Sequence, residues 1–236
     1  MKSIIKYIGA KNIDLSTYNI NQYKVYCEPF GGSFTTGLNL LDNNYMGTTV
    51  YNDLDKELII FWECLMENYR ELYNSIKIVN NNLHKFIDYN ISHDKYIRAA
   101  TKYIICQCTT LKGVKLHTID ISNLEIKLLN ISILLNSSKT QIYNKDFKEV
   151  IEEVNNFQTF MLVDPPYECK GMKNYYVHHE INHLELRDIL IKFKGKWVLT
   201  VNDCKLFREL YNGFHIQENT RTVCHHKYTE LYITNT

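Results

Sequence analysis

Proline is almost missing from this chain: three residues in 236, at positions 29, 165 and 166. Glycine is also sparse, with nine. Proline fixes its own φ and removes a backbone donor, so each of the three marks a place where strand pairing has to stop. No apolar run is long enough to cross a membrane, and Lys6 and Lys11 interrupt the stretch where a signal peptide would need an unbroken apolar segment. A cytosolic protein is expected. The net charge is only +1, so no global electrostatic signal for nucleic acid exists and any DNA surface has to be a local patch. The seven cysteines are an odd number, and the one close pair, Cys106 and Cys108, has one residue between its members instead of the two to four of a zinc knuckle. Reduced thiols and no metal are expected; Cys224-His225-His226 lacks a second ligand pair near it in sequence.

What is present is an alternation of β-type and helical patterning. The stretches 24–30, 48–53, 140–144, 160–164, 196–201 and 228–234 read as strands. Helical spacing runs through 54–77 on Leu54, Leu58, Phe61, Trp62, Leu65, Tyr69 and Leu72, with further helices around 38–41, 95–108, 122–136, 146–154, 183–193 and 204–211. A helical block of about eighty residues thus interrupts a βαβ series. The expected fold is α/β, a mostly parallel sheet with helices on both faces, divided into 1–56 plus 138–236 and an insert at 57–137.

Ligands of open α/β sheets bind outside the carboxyl ends of the strands. Three such ends here are acidic: Glu28, Asp53 and Asp164. Gly31 and Gly32 follow the first, in a turn that lets backbone approach a ligand closely. Asp53 stands 21 residues after Gly32, the separation at which such sheets place an acid on the two hydroxyls of a ribose. A Gly-Gly turn alone is common and says little. No phosphate-binding pattern accompanies it, and Glu28 would repel a pyrophosphate. The nucleoside expected therefore carries no phosphate; S-adenosyl-L-methionine, a sulfonium nucleoside, fits.

The set YIGAK (7–11), EPFGGS (28–33), YND (51–53), NKDF (144–147), DPPY (164–167) and VNDCKLFRELY (201–211) resembles the Dam-like DNA N6-adenine methyltransferases. The resemblance implies a Rossmann-like methyltransferase sheet with a helical target-recognition insert, S-adenosyl-L-methionine as cofactor and double-stranded DNA as partner. By matching positions it implies cofactor contacts at Tyr7, Lys11, Glu28, Gly31, Gly32, Asp53, Asp146, Phe147 and Asp164. Lys11 would pair with the methionine carboxylate, and Asp53 would accept the ribose hydroxyls. Asp146 would meet the cofactor's adenine amine while Phe147 packs on the ring, although a core aromatic is the plainer account of Phe147 taken alone.

It also implies catalysis at Asp164, Pro165, Pro166 and Tyr167. An adenine N6 amine is a poor nucleophile because its lone pair is delocalised into the ring. Asp164 and the Pro165 carbonyl, held by the stiff Pro-Pro segment, would accept from its N–H groups as positive charge develops. Tyr167 would stack on the base once it has flipped out of the duplex. Arg98, Lys102, Lys112 and Lys115 lie in a segment nearly free of acids and are candidates for phosphate contacts; a solvated helix face has the same pattern. Two departures stand out: Phe34 occupies a position where the family pattern has a third glycine and is expected to reshape the cofactor loop, and CTTLKGVK (108–115) replaces the expected recognition loop. The expected context is a restriction-modification, phage or other mobile-element system. The alternatives are a methylase of RNA or a protein amide, and an inactive relative that only binds DNA.

Overall fold

The computed structural model describes residues 3–7, 9–10, 12–86, 92–110, 113–166, 181–223 and 226–235, with backbone alone for 221–223 and 226–227. Lys11, Lys112 and Tyr167 lie outside the described residues. Strand β1 (Val25–Glu28) leads through helix α1 (Thr35–Asp42) to β2 (Thr48–Asn52). Helix α2 (Lys56–Asn81), α3 (Lys95–Cys108), the two-residue strands β3 (Thr109–Thr110) and β4 (Gly113–Val114), and α4 (Leu124–Ser137) then precede β5 (Lys139–Tyr143). The rest alternates: α5 (Phe147–Glu153), β6 (Thr159–Val163), α6 (His183–Lys192), β7 (Lys196–Asn202) and α7 (Lys205–Leu210), closing with β8 (His215–Val223) and β9 (His226–Thr234).

Seven strands form one sheet in the order β5-β2-β1-β6-β7-β9-β8. The first five are parallel, β9 runs antiparallel to β7, and β8 antiparallel to β9. The expected mixed α/β sheet is thus present. Strand β8 (His215–Val223) has no counterpart among the strands expected from the sequence. This one sits at the sheet edge and pairs only with β9, so its solvent-facing Gln217, Glu218 and Asn219 give no apolar alternation.

The period-2 alternation of the central strands builds two cores. Tyr26, Tyr51, Phe160, Leu162 and Val198 point to one face, where they meet α1 through Leu38 and Leu41 and the helices of the 57–137 block through Leu58, Trp62, Leu65, Ala100, Ile104 and Leu128. Cys27, Val50, Met161, Val163 and Leu199 point to the other, onto Val150 and Ile151 of α5, Leu186 and Leu190 of α6, and Phe207 of α7. The helical block therefore shares one apolar cluster with the sheet. Helix α2 bends at Asn68, whose backbone is non-helical (φ −154°) and whose Oδ1 accepts from the Glu71 amide 3.2 Å away, a fresh cap for the second half.

Candidate active site

The carboxyl ends of β1, β2 and β6 bring Glu28, Asp53 and Asp164 to one edge of the sheet, because these three strands are neighbours in parallel register. The glycine turn is built around β2. The Gly31 amide donates to the Asn52 carbonyl at 2.7 Å, and a Cβ on Gly31 would lie 2.1 Å from the Tyr51 ring. Gly32 has φ +48°, and its amide donates to Asp53 Oδ2 at 2.9 Å; the Tyr51 hydroxyl donates to the Gly32 carbonyl at 2.8 Å. Only glycine fits the first position without moving Tyr51, and glycine is the residue least strained at the second.

Phe34 closes the same turn in the left-handed region, φ 52° and ψ 28°. Its ring is buried, edge-on to Tyr51 at 4.8 Å and to Trp62 at 6.3 Å. The substitution for the family glycine therefore does not swing a ring into the cleft: Phe34 joins the core of α2, over Gly37, where a Cβ would lie 2.1 Å from it.

Asp53 holds its carboxylate between two backbone donors, Gly32 on Oδ2 and Asp55 on Oδ1 at 2.8 Å, and remains half-buried. Burial pushes its pKa up to about 6, against the lowering effect of these two amides. Glu28 is buried under the turn, where Oε1 accepts from the Tyr26 hydroxyl at 2.6 Å and the Gly37 amide at 2.8 Å. Burial raises it to about 8, and the nearby Asp164 carboxylate adds to the rise. Asp164, one residue past β6, receives the Thr200 hydroxyl of β7 on Oδ1 at 2.5 Å. Pro165 is buried and Pro166 half-buried behind it.

Two further polar side chains, to which the sequence assigns no role, tie the loops together. Asn52 is buried at the end of β2; its amide donates to the carbonyls of Pro29 at 2.9 Å and Lys145 at 3.0 Å, and its Oδ1 accepts from the Lys145 amide at 2.9 Å. The second is Asp55. It caps α2 by accepting from the Leu58 amide, and its Oδ2 accepts from the Tyr7 hydroxyl at 3.3 Å and from Lys102 at 2.5 Å. Tyr7 thus reaches the Asp53 side of the site, with its hydroxyl held well above the ordinary tyrosine range first by burial and then by the Asp53 and Asp55 carboxylates. Asp146 caps α5 through the Lys148 amide at 3.0 Å, and the Phe147 ring lies 5.1 Å from Phe30 of the turn.

The phosphate candidates separate. Lys102 is 6% exposed and bound to Asp55, so it faces the interior and offers nothing to DNA. Arg98, one turn earlier on α3, is half-buried and pairs with Glu57 of α2. Lys115, just past β4, is exposed. Among the described residues no three histidine, cysteine, aspartate or glutamate side chains gather as a metal site would need, and no helix is long and apolar enough to cross a membrane.

A family model for D12 class N6 adenine-specific DNA methyltransferases matches residues 7–112 and 117–223. The chain belongs to this family. It is an adenine-specific DNA methyltransferase, and the acidic strand ends and glycine turn described above lie within the matched span. A similar curated protein is the Type II methyltransferase M.CviBI of Paramecium bursaria Chlorella virus NC1A, 21% identical over 230 residues, which cover 91% of this chain and 88% of that one. Similar solved structures include the putative methyltransferase yhhF from Escherichia coli, at 11% identity and TM-score 0.41 over 93% of this chain and 81% of the other. The rRNA methyltransferase aviRa from Streptomyces viridochromogenes matches at 10% identity and TM-score 0.42, over 95% and 86%.

Proposed function

We propose that this methyltransferase takes its methyl group from S-adenosyl-L-methionine and delivers it to N6 of an adenine flipped out of duplex DNA, with the ribose of the donor on Asp53 and the target amine on Asp164. The sulfonium of the donor supplies an activated methyl group when bound. The observation that carries this reading is the state of the turn: the amides of Gly31, Gly32 and Phe34 are already engaged by Asn52, Asp53 and Gly31. A pyrophosphate would need such amides free, whereas a nucleoside without phosphate needs only an acceptor such as Asp53 and close backbone.

Each residue then has a task set by its surroundings. Asp53 accepts hydroxyls on the lone pairs that Gly32 and Asp55 leave open. The Glu28 carboxyl, buried and protonated near neutral pH, places no second charge beside Asp164. Thr200 donates to Oδ1 of Asp164 and so fixes the carboxylate, which accepts from the adenine amine as charge develops on nitrogen. Pro165 presents its carbonyl from a segment that cannot slide in register. Lys11 and Tyr167, with the methionine carboxylate and the flipped base as their partners, complete the set.

Lys112 and the exposed Lys115, just past β4, are the phosphate contacts, and the block 57–137 reads the target. The relation to a Type II enzyme favours a restriction-modification setting, and an inactive relative is disfavoured by the intact Asp53 and Asp164. The test is single-turnover methylation of duplex DNA beside calorimetric cofactor titration. Asp164→Ala should lower turnover about 10²- to 10³-fold, as loss of one acceptor of developing charge does. Asp53→Ala should instead lower cofactor affinity, and equal cofactor affinity in Asp53→Ala and the parent would refute the ribose assignment.

A further inference from the structure

Lys102 is a charged side chain in a place where charge is costly. It is 6% exposed, on α3, with its ammonium 2.5 Å from Asp55 Oδ2 and 5.6 Å from the centre of the Tyr7 ring. Taking an ammonium and a carboxylate out of water costs several kcal/mol per ion, and a well-packed apolar pair of similar volume often serves stability as well or better. Stability therefore gives no sufficient reason for a lysine here. Its surroundings suggest another.

Asp55 is not an isolated partner. Its amide donates to Asp53 Oδ1, and Asp53 Oδ2 takes the Gly32 amide, so one connected path runs from Lys102 through Asp55 and Asp53 to the glycine turn. Among the described residues, the titratable groups facing Asp53 are Asp55 at the start of α2, Tyr7 from the N-terminal segment, Tyr51 of β2 and Lys102 of α3, with Cys106 of α3 beside Lys102 and Asp55. Of these Lys102 is the cation. Two carboxylates half or fully buried side by side repel, and one ammonium shared between them offsets that repulsion.

We propose that Lys102 is a positioning residue for the cofactor site: its buried ammonium, held on Asp55, keeps the Asp53 carboxylate ionised and aimed at the glycine turn, so that helix α3 sets cofactor affinity. This rests on Asp53 being the ribose acceptor. Lys102 would thus couple the 57–137 block to the donor pocket without itself touching DNA or donor. Arg98, pairing with Glu57 one turn earlier on α3, docks the same helix against α2, so a shift of α3 on DNA would be felt at Asp55.

Calorimetric titration of S-adenosylhomocysteine between pH 5 and 8.5 tests it, together with thermal unfolding of the cofactor-free protein. In the parent, affinity should fall as pH drops through about 6, where Asp53 takes up a proton. In Lys102→Met the midpoint should move upward by about one unit, with about threefold weaker binding at pH 6.5, approaching tenfold at pH 5 where one unit gives its full factor of ten, and near-parent binding at pH 8.5. Lys102→Gln, which keeps a donor to Asp55 without charge, should shift the midpoint likewise and serves where the thioether unfolds the protein. A purely structural lysine would lower the unfolding temperature and leave the midpoint in place. If Asp53→Ala loses affinity while both Lys102 variants keep the parent's midpoint, or lose affinity equally at every pH, the positioning role is overturned and the ribose assignment stands. If Asp53→Ala binds like the parent, the ribose assignment itself fails.

Discussion

Phe34 occupies backbone that a glycine would enter without strain, and Gly37 makes room for its ring. A Gly→Ala change within a helix ordinarily stabilises by roughly 0.5–1 kcal/mol. At Gly37 the new methyl group would meet the Phe34 ring, and overpacking of this kind typically costs about 1–3 kcal/mol. Gly37→Ala is therefore expected to destabilise the parent in urea denaturation and to become neutral or stabilising in a Phe34→Gly background. A stabilised parent would mean that the ring lies elsewhere. The same pair shows what a motif can and cannot convey. That position 34 departs from the family pattern was visible in sequence; where its ring goes was not, because Tyr51, Trp62 and Gly37 come from three different elements.

At the scale of elements, α3 shows how local charge counting misleads. Its cations lie in a stretch poor in acids, but the acids that engage Arg98 and Lys102, Glu57 of α2 and its N-cap Asp55, are 41 and 47 residues away. The exposed basic character passes instead to Lys115 beside β4. Each lost phosphate contact on duplex DNA lowers the slope of log affinity against log salt by about 0.9. Fluorescence anisotropy over a salt series should show that reduction for Lys115→Ala and an unchanged slope for Lys102→Met. A slope lowered by Lys102→Met would place its ammonium on DNA and contradict its burial.

For the whole molecule, the buried acids make stability depend on pH in a definite direction. Glu28 has its pKa raised from 4.5 to about 8 by burial, and Asp53 from 3.8 to about 6. Between those limits the folded chain holds protons that the unfolded chain has released, so their contribution to stability is fully present below about pH 4 and lost as pH rises towards 8. Paired surface carboxylates oppose this, so the comparison has to be made between variants. Glu28→Gln should flatten the fall in unfolding temperature between pH 5 and 8 and raise stability at pH 8 relative to the parent. Parallel pH profiles for the two proteins would show that Glu28 titrates at its ordinary value.

Sequence by itself determined the strands of the parallel sheet, their acidic ends, the glycine turn and the family, because each depends on short-range periodicity or on residues within one turn of each other. Asp55, Asn52 and Thr200 escaped it, as did edge strand β8. Hydrogen bonds between neighbouring strand ends, and the single-sided pairing of an edge, leave no local pattern. Only the tertiary structure decided which charges face water. Lys102 and Lys115 are alike as residues in one segment, but one is packed against the N-cap of α2 and the other is not, and burial with a partner is a property of the assembled helices.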